Sequence, residues 1–112
     1  MLFRSDIALE DNTTDEQYLD LLSKGIQDAI EASNPDLVIY LAGADPYEDD
    51  KFGRLALTKH GLSQRDNMVF DFCRKAGLPV AVTMAGGYAR DVEDTVDIHL
   101  QTVKNAVCMI NI

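Results

Sequence analysis

The sequence is short of four things, and each shortage excludes something. Cysteine occurs only at Cys73 and Cys108, too few and too far apart for a disulfide framework or a zinc knuckle. Two reduced thiols are what a cytoplasmic protein carries, and that is the expected location. Basic charge is scarce, with 10 Lys and Arg against 19 Asp and Glu for a net charge of -9. Such a chain repels nucleic-acid phosphates and anionic membranes, so no nucleic-acid or membrane partner is expected. No apolar run approaches the roughly 18 residues of a membrane span, and Met1 to Asp6 has no apolar stretch of the kind a secretory signal needs. Histidine occurs only at His60 and His99, so there is no histidine pair. What is present is ordinary: 112 residues, 46% apolar and 26% charged, fit for a single globular domain over residues 1–112.

The pattern along the chain alternates strands and helices. Ser5 to Ala8 reads as a short first strand. Thr13 and Glu16 have capping-box spacing, and Tyr18, Leu22, Ile26 and Ile30 then share one helical face. Asn34-Pro35 stops that helix. Leu37 to Leu41 is apolar without alternation, as suits a parallel strand covered on both faces. An acidic loop, Ala42 to Asp50, follows. Ser63 is placed to cap a second helix with Val69, Phe72, Cys73 and Ala76 on one face, ended by Gly77 and Pro79. Pro79 to Met84 is another apolar strand, leading into Ala85-Gly86-Gly87-Tyr88. Asp91 can cap a last helix with Val92, Val96, Leu100, Val103 and Val107 in register. The expected class is α/β, a parallel sheet of about three strands with helices.

Ligands of open parallel sheets sit beyond the carboxyl ends of the strands. Two loops leave such ends, one carrying Asp45 and the other Tyr88, so both are expected on one edge. An aspartate at Asp45 can bind a metal, accept a phosphoryl group or orient a base, or merely bond its own turn. Gly86-Gly87 ahead of a helix can cradle an anion or simply allow a tight turn. Tyr88 can donate a hydrogen bond to a developing oxyanion, or pack half-buried. Glu48, Asp49 and Asp50 read as solvated loop acids, and Arg65-Asp66 as a first-turn pair facing a neighbouring segment or water.

At these residues the sequence resembles a known family. Ala42 to Leu55 is similar to the metal-ligand loop of zinc-dependent histone deacetylases. Ala85-Gly86-Gly87-Tyr88 resembles the glycine-rich loop that ends in their catalytic tyrosine. Arg65-Asp66 with Val69-Phe70 resembles the class IV branch, and Asp15-Glu16-x-Tyr18-Leu19 and Asn34 to Val38 also fit. The resemblance runs from about Ser5 to about Ala106. It implies a partial arginase–deacetylase fold, with Asp45 as one of three zinc ligands, Gly86 and Gly87 passing close to substrate, and Tyr88 as the catalytic oxyanion donor. The substrate it implies is an N-acyl-lysine or related amide.

The departures matter as much. Asp49-Asp50 stands where the family usually has Gly-Asp, and Arg54 where it has glycine. The family's Asp-x-His ligands and its paired histidines would lie N-terminal to everything in this chain. Asp97-Ile98-His99 matches Asp-x-His only as text, because it falls in a helix where residues i and i+2 diverge by about 200°. The expectation is therefore the C-terminal segment of a deacetylase-like domain, inactive and without bound zinc by itself. Apolar strands with open edges predict a homodimer or small oligomer. The rival expectation is a non-enzymatic α/β module, receiver-like or purely structural.

Overall fold

The computed structural model describes residues 3–110. Five elements follow one another: α1 (Asp15–Ser33), β1 (Val38–Ala42), α2 (Lys59–Lys75), β2 (Val80–Met84) and α3 (Val92–Ile110). The two strands pair in parallel, Val38 opposite Val80 through Ala42 opposite Met84. The α/β class and the parallel sheet stand, but the described sheet has two strands, not three.

The expected strand at Ser5 to Ala8 is irregular and exposed. Its apolar side chains go to α1 rather than to the sheet: Ile7 reaches so close to Gly25 that a Cβ there would lie 2.7 Å from the Ile7 Cδ1. The cap of α1 is Thr14, one residue later than expected, with its backbone N–H donating to Gln17 Oε1 at 3.5 Å. Thr13 is occupied elsewhere. Its hydroxyl donates to the Glu10 carbonyl at 2.6 Å, and its carbonyl accepts from Ala56 N–H at 2.9 Å. Asn34 ends the helix in the left-handed region, with φ 44°, immediately before Pro35.

Helix α2 is capped five residues before the expected Ser63. Thr58 is the cap, its Oγ1 accepting from Gly61 N–H at 3.0 Å. Asp15 fixes Thr58 in turn through its N–H at 2.8 Å and its hydroxyl at 2.6 Å, so the starts of α1 and α2 are tied together. Gly61 is needed there because a Cβ would meet the Asp15 carboxylate at 2.0 Å. Ser63 lies inside the helix and accepts both hydrogen bonds that Asn105 Nδ2 donates.

The packing of α3 departs most from expectation. Val92, Val96, Leu100, Val103 and Val107 are exposed, while Ile98, Thr102 and Asn105 are buried against α2. The reason is the partner surface: α2 presents Ser63 and Asp66, which polar α3 side chains satisfy. The apolar tail from Ala106 continues α3 as far as Ile110, and Asn111 and Ile112 lie outside the described residues. Register puts Val38, Tyr40, Val80 and Val82 on the sheet face that meets α2. The opposite face is bare, with Ile39 64% and Leu41 69% exposed. The core of Ala44, Leu57, Leu62 and Ile98 sits beneath the carboxyl end of β1, directly under the loop that carries Asp45.

Candidate functional site

The loops after β1 and β2 are built as one unit. Ala44 N–H donates to the Gly86 carbonyl at 2.7 Å, Lys51 N–H to the Tyr88 carbonyl at 2.9 Å and Arg90 N–H to the Asp49 carbonyl at 3.0 Å. Residues 49–51 therefore run as a short antiparallel ladder beside residues 88–90, with Asp50 bridged to Ala89. Gly87 is required by this closure, since a Cβ would meet Ala44 Cβ at 2.9 Å and Thr95 Cγ2 at 3.0 Å. A Cβ at Gly86 would face the Asp45 carboxylate at 3.8 Å, an ordinary contact.

The centre of the unit is Asp50. It was expected to be solvated but is only 6% exposed. Its Oδ2 accepts from Phe52 N–H at 3.0 Å and Gly53 N–H at 2.7 Å, and its Oδ1 accepts from Tyr88 N–H at 2.6 Å. One carboxylate thus folds its own loop and grips the neighbouring one. Asp49 is half-buried and pairs with Arg90 at 3.0 Å, while Glu48 is exposed.

Asp45 and Tyr88 both stand free at this edge. Asp45 is exposed, and its carboxylate accepts no hydrogen bond from the described residues. That is not the arrangement of a turn aspartate bonded to its own backbone. Tyr88 is 62% exposed, with its ring edge-on to Phe52 at 5.3 Å between centroids. The half-buried packing reading of Tyr88 does not describe it. The structure brings Asp45, Gly86, Gly87 and Tyr88 to the shared edge that the strand pattern predicts.

Beneath this edge lies a buried polar cluster. Arg65 is 4% and Asp66 1% exposed, so the first-turn solvent reading fails. Asp66 Oδ1 accepts from Arg65 Nε at 3.1 Å and Nη2 at 3.0 Å, and also from the Tyr40 hydroxyl. Its Oδ2 accepts from the Thr102 hydroxyl. Arg65 Nη1 donates to the Gly43 carbonyl at 2.6 Å, and the guanidinium lies 5.6 Å from the Tyr40 ring centroid. Burial works against the Arg65 charge, but Tyr40, Asp66 and Tyr18 outweigh it and raise its pKa. Burial also pushes the Tyr40 and Tyr18 hydroxyls above their ordinary value of 10.0.

Asp50 and the cluster are the parts that the sequence reading missed. The signals were present. Asp50-Lys51-Phe52-Gly53 has the spacing of an aspartate bonding N–H groups two and three residues on. Arg65 and Asp66 fall between Leu62 and Val69 on the apolar face of α2.

The described residues do not by themselves make a zinc site. No group of three or more His, Cys, Asp or Glu is placed to hold a metal ion among them, and a catalytic zinc needs three protein ligands. Asp45 offers one. His60 is exposed at the start of α2, and His99 is half-buried on α3 with a buried Nδ1 that has no partner. Asp97 points to Lys59, which bonds it at 2.9 Å and Asp94 at 2.6 Å. The pair Asp97 and His99 is therefore no ligand set, and the solvent-facing reading holds for Asp97 only.

The profile of the histone deacetylase domain matches residues 2–103. The chain belongs to the histone deacetylase family. It is 33% identical over 95 residues to histone deacetylase 2 of Arabidopsis thaliana, covering 81% of this chain and 24% of that protein. It is 39% identical over 94 residues to an uncharacterized protein of Picosynechococcus sp., covering 84% of this chain and 31% of that protein. The crystal structure of acetylpolyamine aminohydrolase from Burkholderia pseudomallei superposes with a TM-score of 0.75 at 16% identity, over 89% of this chain and 27% of that one. That likeness shows the arginase–deacetylase fold. Family membership displaces the receiver-like reading. This deacetylase-family chain spans about a quarter to a third of the length of the relatives it matches.

Proposed function

We propose that the chain is the C-terminal part of a class IV-like deacetylase or related amide deacylase domain, over residues 1–112, which hydrolyses an N-acyl-lysine or similar amide when complete. The observation that carries this reading is the clamping of the two loops, through Ala44 to Gly86 and Asp50 to Tyr88, which leaves Asp45 and Tyr88 free at one edge. In this reading Tyr88 O–H donates to the substrate carbonyl oxygen and holds the oxyanion that develops there. Asp45 contributes one carboxylate ligand to the family's zinc. Gly86 and Gly87 let the backbone of this loop pass close to the substrate. The chain alone is inactive and holds no zinc.

The reading also includes cytoplasmic residence and self-association. Free Cys73 and Cys108 support the first, and no described helix is long and apolar enough to cross a membrane. The bare sheet face and the exposed apolar stripe of α3, from Val92 to Ile110, support a homodimer or small oligomer of the isolated chain.

The test is a chimera in which the unmatched part of the Picosynechococcus protein precedes this chain. Zinc-loaded chimera should deacetylate an acetyl-lysine peptide, with acetylated polyamine as the second substrate offered, whereas the chain alone should not. A chimera that folds, binds zinc and hydrolyses neither amide would refute the proposal.

A further inference from the structure

The Gly43 carbonyl and the Ala44 N–H belong to one peptide group, and that group is held at both ends. Arg65 Nη1 donates to its oxygen at 2.6 Å, while its N–H donates to the Gly86 carbonyl at 2.7 Å. A trans peptide is planar, with its N–H and C=O pointing in opposite directions. Fixing the oxygen toward Arg65 therefore aims the N–H at the Gly86 loop. Turning the plane over would break both bonds at once and leave buried polar groups unpaired, since Gly43 and Ala44 are buried.

The same peptide lies directly under the Asp45 side chain. A Cβ on Gly43 would stand 2.7 Å from Asp45 Oδ1, so the carboxylate folds back over this peptide and any side chain at position 43 would displace it. Arg65 is itself held fast. Two of its nitrogens are forked onto Asp66, and Asp66 is fixed by hydroxyls from β1 and α3. The guanidinium is thus aimed by three elements, and its one remaining directed bond goes to the site loop. Arg suits this task where Lys does not, because a planar fork can serve the carboxylate and the carbonyl together.

We propose that Arg65 is a positioning residue for Asp45 and Tyr88, acting through the Gly43–Ala44 peptide. It sets the plane of that peptide, and the plane decides whether the two loops dock. The inference rests on the assignment of Asp45 and Tyr88 under Proposed function, but its test does not require activity. Amide hydrogen exchange is followed at Ala44 and, as a reference in the middle of α2, at Val69. In Arg65→Lys the Ala44 amide should lose at least tenfold more protection than the Val69 amide. The doubly neutral Arg65→Met/Asp66→Asn variant, which leaves no lone buried charge, should show the same selective loss. Equal loss at both amides, no loss at Ala44, or a double variant unfolded by circular dichroism would each overturn the proposal, because Arg65 would then serve the whole fold or nothing local. Selective loss at Ala44 alongside an inactive chimera would instead uphold the positioning and refute the deacylase reading.

Discussion

Replacing Asp50 with alanine removes one carboxylate and strands three backbone donors, at Phe52, Gly53 and Tyr88. A hydrogen bond to a charged group contributes about 1.5–3 kcal/mol, and an unsatisfied buried donor costs about 1–3 kcal/mol. Phe52 and Tyr88 are exposed and Gly53 is half-exposed, so all three N–H groups can recover some water in the variant. A fraction of the penalty then falls on each of the three, about 3 kcal/mol in all. That is a large share of the ~5–15 kcal/mol by which a domain is stable. With a urea dependence of about 1.5 kcal/mol/M for a chain of this size, the midpoint should fall by roughly 2 M. Asp50→Asn should be nearly as damaging, because its single amide oxygen can serve one loop while its NH2 faces donors on the other. Urea unfolding by circular dichroism measures both. An Asp50→Ala change below about 0.5 kcal/mol, the usual size for an indifferent surface site, would show that this carboxylate does not join the loops. A silent Asp50→Asn would show that shape rather than charge holds them.

Three further outcomes follow. Gly87→Ala should cost about 1–3 kcal/mol in urea unfolding, as overpacking does, because the new methyl meets Ala44 and Thr95 within 3.0 Å; a neutral substitution would mean that the loops are not in close contact. Tyr40 and Tyr18 keep their protons above the ordinary value of 10.0 in the folded state, so the folded chain binds more protons than the unfolded one there. The stability they contribute is full below pH 10 and declines as pH rises from that value toward the folded ones; Tyr40→Phe should flatten that decline, and an unchanged slope would contradict it. Light scattering of the isolated chain at micromolar concentration should give at least twice the monomer mass, whereas a monomer across a wide concentration range would refute self-association.

Much of the fold could be read from the sequence wherever one local rule dominates. The unbroken apolar runs marked β1 and β2, and Asp91 and Gly77 lie at the helix ends where expected. The site edge was legible because strand order alone sends the Asp45 and Tyr88 loops the same way. Failures came where tertiary partners decide. Thr13 and Ser63 have the chemistry of helix caps, but the Thr13 hydroxyl turns back to the Glu10 carbonyl and Ser63 takes the Asn105 amide of α3, so Thr14 and Thr58 cap instead. The apolar stripe of α3 looked like its core face. Yet α2 carries Asp66 at the contact, and Thr102 satisfies that carboxylate better than a valine can. Asp50 has a local signal in its spacing to Phe52 and Gly53, but its third donor, the Tyr88 N–H, is 38 residues away, which no local pattern shows.

Under the proposed function, Asp45 and Tyr88 are two working groups of an amide deacylase whose remaining ligands come from outside the described residues. Zinc content and turnover, measured together on the zinc-loaded chimera and on the chain alone, test it most directly. The chain alone should hold well under one equivalent of zinc after dialysis. In the chimera, Tyr88→Phe should keep its zinc and lose about 10²-fold or more in kcat, as for loss of an oxyanion donor, while Asp45→Asn should lose the metal. Stoichiometric zinc retained by Asp45→Asn, or full turnover by Tyr88→Phe, would contradict the account.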